Sequence, residues 1–337
     1  MNTHVRPTRS PIEAAIALID GHLVALPTET VYGLGADAQN PAAVARIFAA
    51  KGRPADHPVI VHLANADAVD AWAQDVPTYA VDLMAAFWPG PLTVILPRGA
   101  LATDQLTGEQ PSIGLRVPSH PDFQTIIAAF ADRTHPAAGI AAPSANRFGR
   151  VSPTSAQHVL DELRDVTTDD DLVFDGGPCE VGVESTIVDC TGEQPVILRP
   201  GAIGAEQIEA VTGLSLGTGS STRASGTLES HYAPRARVHP IDETQTAAIT
   251  SESGLIALAH VPTPDNAIRL LAADDLEAYA RGLYAALRDA DAQGITDVFI
   301  VRPPMTGVGI AINDRVTRAA TTSAASAAQH PNESPRR

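Results

Sequence analysis

Between Gly213 and Thr227, eleven of fifteen residues are glycine, serine or threonine. Such a stretch has little apolar surface to bury and much backbone entropy to lose, so it cannot thread a continuous core. It therefore divides the 337-residue chain into parts that must each close on their own apolar surface. The division expected is a larger unit over residues 10–212, a flexible linker over 213–237 able to close over a site, a small unit over 238–320, and a disordered tail over 321–337.

Local patterning on either side fixes the fold class. Ser10-Pro11-Ile12-Glu13 has the form of a capping box with proline at the first helical position, and Gly21 ends that helix before a short apolar strand from His22 to Leu26. Further strands are predicted at Val59–Leu63, Leu92–Leu96, Ile113–Val117, Gly139–Ala142, Leu172–Phe174, Thr186–Asp189 and Val196–Leu198. Helices are predicted at Pro41–Ala50, Thr78–Ala86, Pro121–Ala131, Pro153–Leu163 and Ala205–Val211, with Ser152 as the N-cap of the fourth. This mixture gives an α/β or α+β domain. Beyond the linker the order is strand Gly254–His260, helix Leu276–Asp291, strand Asp297–Arg302 and helix Gly309–Ala320, which implies a small three-layer parallel unit.

Charge and rare residues exclude several functions. The net charge is −16, and of the 23 basic residues only Lys51 is lysine. No P-loop can be written around it, because Gly52, Arg53 and Pro54 follow. An acidic surface with 4% aromatics repels phosphate backbones, so a polyanion could enter only a local basic groove. Two cysteines, Cys179 and Cys190, match no zinc or redox spacing, and no metal site is expected. The longest apolar runs are about ten residues, too short for a membrane span, and the chain is read as cytoplasmic.

Polar residues gather in loops after the apolar strands, where open α/β sheets bind ligands. Pro27-Thr28-Glu29-Thr30-Val31-Tyr32-Gly33-Leu34-Gly35 is either a capped connection or a hydroxyl-rich binding turn. Lys51-Gly52-Arg53-Pro54, with His57 and His62 beyond, can grip phosphate oxygens or simply complement a helix C-terminus. Ser112 to Pro118 places Arg116 within an apolar strand, where it needs a protein carboxylate or an anionic ligand. Ala142-Pro143-Ser144-Ala145-Asn146 precedes Ser152-Pro153-Thr154; Gly182-Val183-Glu184-Ser185-Thr186 and Leu198-Arg199-Pro200-Gly201 complete the set. These loops supply cations and hydroxyls but no nucleophile with its base, which suits orienting an anionic, nucleotide-like reactant.

In order and spacing, PTETVYGLG, AKGRP, WPGPLT, GLRVPSHP, APSAN, SPT, GVESTI and LRPG resemble the YrdC-like domain. His231-Tyr232-Ala233-Pro234, Ala278-Tyr279-Ala280-Arg281 and Ala311-Ile312-Asn313-Asp314-Arg315 resemble the long, two-domain form, the threonylcarbamoyl-AMP synthases. The resemblance implies a twisted open mixed sheet with helices plus a smaller three-layer α/β domain. It implies synthesis of threonylcarbamoyl-AMP from L-threonine, bicarbonate or CO2, and ATP, with Mg2+ carried on the phosphates and a separate transferase acting downstream on tRNA. By motif position it puts Thr30, His62, Arg116, Ala142 and Ser185 around threonine. It puts Lys51, Arg53, His57, Ser112, Ser144, Asn146, Ser152, Arg199 and Tyr232 around ATP, with Lys51 and Arg53 stabilising charge in the reaction. Position 57 is often asparagine in the family and is histidine here, and Leu228-Glu229-Ser230 replaces residues that are usually basic. The alternative is a double-stranded RNA or ribosome-maturation module using the same groove, with direct tRNA contact less expected. The small unit shows no catalytic constellation and is expected to pack or to control the linker, or else to carry a separate nucleotide or partner site.

Overall fold

A computed structural model describes residues 5–227, 232–249 and 252–329. The chain forms two compact units, Met1–Phe148 with Ser152–Thr227, and Gly149–Val151 with Leu228–Arg337. The glycine-, serine- and threonine-rich segment thus groups with the first unit as far as Thr227.

Ten strands build the first unit: β1 (Arg6–Thr8), β2 (Val24–Leu26), β3 (Gly33–Asp37), β4 (Ile60–Leu63), β5 (Leu92–Pro97), β6 (Ser112–Arg116), β7 (Gly139–Ala141), β8 (Leu172–Phe174), β9 (Thr186–Asp189) and β10 (Val196–Arg199). They lie in the order β1-β8-β2-β3-β7-β4-β6-β5-β9-β10. The sheet is mixed: β4 runs parallel to β6 and β5 to β9, while β7 is antiparallel to β4 and β6 to β5. Both faces are covered, as alternation along β2 shows. Val24 and Leu26 join Leu18, Phe123, Ile127 and Phe130 on one face, whereas Ala25 joins the cluster containing Ile47, Trp72 and Leu83 on the other. Trp72 is fully buried and satisfies its indole N–H on the Ala137 carbonyl at 2.9 Å.

Helix termini decide where the polar loops emerge. The helix Pro41–Lys51 starts at Asn40, whose side chain accepts from the amides of Ala42 and Ala43, and stops at Gly52 with φ 61°. Lys51 therefore ends a rigid helix, and Arg53 follows a left-handed turn. The helix Pro121–Arg133 is longer than expected by two residues, and Ser10 caps the helix Pro11–Ile19 by accepting from the Glu13 amide. Ser152 is not a helix cap. That helix is Ala156–Leu163, capped by Ser155, and Ser152 instead donates to Glu184. Strand β3 was not legible because Gly33 and Gly35 resemble a turn. Yet a Cβ on Gly35 would lie 3.0 Å from Ile140, Leu26 and the Val24 carbonyl, so glycine here permits close strand packing. The short strand β1 and the one-turn helices Val69–Trp72 and Asp104–Thr107 also lacked a readable period.

The second unit carries β11 (Arg237–Ile241), β12 (Ser253–Leu258), β13 (Ala267–Ala273) and β14 (Asp297–Val301), in the order β11-β14-β12-β13 and parallel throughout. Its helix Leu276–Ala292 buries Tyr279, Leu283 and Leu287, the spacing that predicted it. Strands β11 and β13 were not anticipated. Of the expected tail, residues 321–329 continue the helix Gly309–Gln329, and residues 330–337 lie outside the described residues. His231 and the Leu228-Glu229-Ser230 departure lie outside them as well.

Gly201 ties the loop after β10 to β9: a Cβ there would stand 2.3 Å from the Thr186 amide nitrogen and 2.7 Å from the Ser185 carbonyl carbon. Gly201→Ala is expected to cost about 1–3 kcal/mol, as overpacking against fixed backbone does, read by urea denaturation. A change below about 0.5 kcal/mol would mean that this loop yields freely.

Candidate active site

Hydroxyls of the first polar loop fold a carboxylate inward. Thr28 Oγ1 accepts the amides of Thr30 and Val31, both at 3.2 Å, and donates to the Val31 carbonyl at 2.7 Å. The turn buries Thr30 completely and leaves Glu29 3% exposed. Glu29 accepts from Arg116 Nη2 at 2.6 Å and from the Ser119 amide at 3.1 Å. Of the two partners that a buried Arg116 required, the protein carboxylate is therefore present. Arg116 Nε donates to the Gly90 carbonyl at 3.2 Å, and Nη1 makes no hydrogen bond among the described residues.

His62 stands beside Arg116 in the parallel register of β4 and β6, with its ring 5.5 Å from that of Phe123. Burial first, and the neighbouring guanidinium second, push its pKa down to about 3, so the ring is neutral; its Nδ1 is buried with no hydrogen-bond partner among the described residues. Ala142 follows β7 and packs where a Cβ on Gly33 would come within 3.1 Å of its own. Ser185, immediately before β9, shares a hydroxyl contact with Thr93 at 2.8 Å. That same Ser185 hydroxyl accepts from Arg199 Nη2 at 3.0 Å, and Arg199 Nε donates to its carbonyl.

The cationic residues cluster next to this group. Lys51 is 3% exposed, and its ammonium donates to the carbonyls of Ser144 and Asn146, closing the APSAN loop onto the end of its own helix. Burial, with Arg53 nearby, holds the Lys51 pKa well below the usual lysine range. Arg53 lies 5.9 Å over the Phe148 ring and donates to the Pro58 carbonyl, and His57 meets the same ring edge-on at 5.3 Å. Desolvation, then Arg53, lowers the His57 pKa. Ser144 and Asn146 contact Lys51 through backbone oxygens, while the Asn146 amide donates to the Arg147 carbonyl at 2.7 Å.

Several participants escaped sequence reasoning. Glu184 holds Ser152 at 2.6 Å, and Glu29 holds Arg116; both lie inside the polar motifs, and burial was the missing signal. The segment before Thr227 is packed against this region. Gln110 brackets Arg223 through its backbone amide and carbonyl, Arg223 reaches the Gly108 carbonyl, and Ser225 takes hydrogen bonds from Arg199 Nη1 at 2.8 Å and Arg53 Nη2 at 3.4 Å. Ser112, Thr93, Ile187 and Ser225 line the cleft left beneath it, with about 20 Å³ of free volume. Tyr232 belongs to the second unit, where it is buried at φ 63°, stacked 5.7 Å from Tyr284 with the Arg315 guanidinium 5.1 Å above it. No group of three His, Cys, Asp or Glu able to hold a metal ion occurs among the described residues, nor a helix long and apolar enough to cross a membrane.

Comparison with known proteins bears on this arrangement. A family model described as "Telomere recombination" matches residues 17–201, and one described as "Threonylcarbamoyl-AMP synthase, C-terminal domain" matches residues 203–321. The chain is 36% identical to a threonylcarbamoyl-AMP synthase of Pyrococcus abyssi, over 91% of this chain and 92% of that one. It is 38% identical to that of Bacillus subtilis over the same shares. A crystal structure of P. abyssi Sua5 complexed with L-threonine superposes with a TM-score of 0.83 at 35% identity, covering 95% of this chain and 98% of that one. With both of its units matched and nine-tenths of its length aligned, the chain belongs to the two-domain threonylcarbamoyl-AMP synthase family.

Proposed function

We propose that this chain condenses L-threonine, bicarbonate or CO2, and ATP into threonylcarbamoyl-AMP and pyrophosphate, in the cytoplasm, as the first step of threonylcarbamoyladenosine formation in tRNA. The observation that carries this reading is the Arg199–Ser185 contact at 3.0 Å, because it joins the residues assigned to threonine and those assigned to ATP through one hydroxyl. Two reactants held on either side of that hydroxyl are within bonding reach, so their encounter becomes effectively intramolecular.

Threonine's carboxylate is assigned to Arg116 Nη1, the guanidinium nitrogen left over by Glu29 and Gly90. Neutral His62 adds no positive charge against the amine, and Thr30, Ala142 and Ser185 enclose the remainder. The amine takes up CO2 with loss of a proton, and a carbamate oxygen attacks the α-phosphorus as the bond to the β-phosphate oxygen breaks. Pyrophosphate leaves with the electron pair. To Arg53, Arg199 and the third N–H of Lys51 we assign neutralisation of the charge that develops, with Ser112, Ser144, Asn146, Ser152 and His57 around the nucleotide. Magnesium carried by ATP would supply further positive charge to the leaving pyrophosphate. A cleft of about 20 Å³ cannot admit a nucleotide, so the segment bearing Ser225 lifts as the phosphates replace its oxygens on Arg53 and Arg199. A downstream transferase consumes the adenylate, and tRNA contact is indirect.

Pyrophosphate release from ATP is expected to require L-threonine and bicarbonate together; release that is independent of either would sink the assignment. Lys51→Arg is expected to lower kcat by about tenfold or more with its charge retained, because a planar guanidinium cannot reproduce two carbonyl contacts and a phosphate contact from one nitrogen. Unaltered turnover would make this lysine dispensable. His62 predicts an acid limb in stability. Its folded pKa is about 3 against 6.5 unfolded, so between those values the unfolded chain binds the extra proton and stability falls as pH falls. From pH 6.5 to 5 the loss from this group is about 2 kcal/mol. His62→Gln should flatten that part of the denaturation profile, and an unchanged slope would locate the acid sensitivity elsewhere.

A further inference from the structure

The second unit has a crevice of its own. Its chain runs outward from β12 to β13 and returns through the helix Leu276–Ala292 to β14 on the opposite side of β12. Open parallel sheets receive ligands at such a reversal, beyond the carboxyl ends of the diverging strands. A cavity of about 460 Å³ lies at this place, a size usual for small-molecule sites. Its walls come from the ends of three strands: Asp242 and Glu243 after β11, Leu258 and His260 from β12, and Val301 and Arg302 from β14.

A motif that the catalytic site leaves unused shapes one wall. Asn313 donates to the carbonyls of Pro303 and Gly309, at 2.9 and 2.8 Å, and so pins the turn Pro303-Pro304-Met305 over the cavity. A Cβ at Gly309 would stand 2.0 Å from the Pro304 carbonyl oxygen, so the turn can fold back only over glycine. Met305 is left 64% exposed, a large apolar side chain at the mouth of a cavity. Arg302 has no carboxylate within ion-pair distance among the described residues; only Nη1 is engaged, through long contacts of 3.4 Å to Asn313 and 3.3 Å to Thr317.

We propose that this cavity binds a nucleoside monophosphate. Arg302 takes the phosphate, as a cation of the cavity wall without a protein anion among the described residues. The carboxylates of Asp242 and Glu243, at the end of the strand adjacent to β14, accept from ribose hydroxyls. Met305, Pro304, Leu258 and Val261 give the cavity apolar walls for a base to pack against, and thioethers pack well on such rings. The same two carboxylates disfavour a triphosphate, and a free amino acid leaves the apolar walls unused. The site is one of binding, since no nucleophile with a base lines it.

The test uses the full chain with its catalytic site saturated by L-threonine and a non-hydrolysable ATP analogue, titrated with AMP by calorimetry. One additional site is expected. Arg302→Gln should weaken it by about tenfold or more, the usual consequence of losing a charged hydrogen bond. Met305→Ala, at an exposed position that folding does not need, should weaken it several-fold. Pyrophosphate release in the absence of AMP stays unchanged in both variants. The proposal falls if AMP gives no binding up to ~5 mM, if both variants bind it as the parent does, or if inorganic phosphate, ribose 5-phosphate or L-threonine binds this site more tightly than AMP. Because the readout is binding beside an occupied catalytic site, its failure leaves the synthase reading standing.

Discussion

Burying a lone ammonium in protein is costly unless its N–H groups are met, and at Lys51 they are met by two backbone carbonyls rather than by a carboxylate. The choice of partner has two effects. The carbonyls fix the APSAN loop against the helix that carries Lys51, so loop and cation are positioned by the same bonds. They also leave the positive charge without an ion-pair partner among the described residues, and burial together with Arg53 favours its loss over the weaker opposing pull of Glu162. An anionic ligand reverses that balance. Under the proposed function, a phosphate oxygen would relieve the electrostatic deficit held at Lys51.

Arg116 follows the opposite rule. Its partner, Glu29, is buried beside it, and the pair is neutral as a unit. The carboxylate fixes the plane of the guanidinium and takes Nη2, so a second carboxylate would meet a preset Nη1 instead of a mobile fork. One buried cation is set by charge and the other by direction, the difference that the proposed roles on a phosphoryl group and on a carboxylate would require.

How far these arrangements were readable depended on whether the information is local. Caps and proline positions placed the helices Pro41–Lys51 and Pro121–Arg133 closely, and apolar runs placed β8 and β9 to the residue. Strand β3 was hidden because glycine carries no period, and β11 and β13 because their alternation in a small sheet is weak. The candidate site residues can be read as motif members, but their pairings cannot. Nothing local distinguishes Glu29, bound across the sheet to Arg116, from the neighbouring threonines. Ser152 looked like a cap until Glu184, thirty-two residues on, proved to be its acceptor. Motif position assigns Tyr232 to the nucleotide; within the second unit its ring stacks on Tyr284 and lies under the Arg315 guanidinium, pairings that nothing local announces.

The contrast between a chain of net charge −16 and a core holding Lys51, Arg53, Arg116 and Arg199, each under a tenth exposed, also governs which anions can reach the site. A nucleic-acid backbone must approach along a surface and would feel the acidic exterior over its whole length. A single nucleotide feels it only during entry, over roughly one Debye length, and then gains the full attraction of cations screened from water. Placing the positive charge inside and the negative charge outside therefore selects small anions over polymeric ones by geometry alone. The segment around Ser225 would sharpen the selection under the proposed function, because its oxygens already hold Arg53 and Arg199 and an entering anion has to replace them on both.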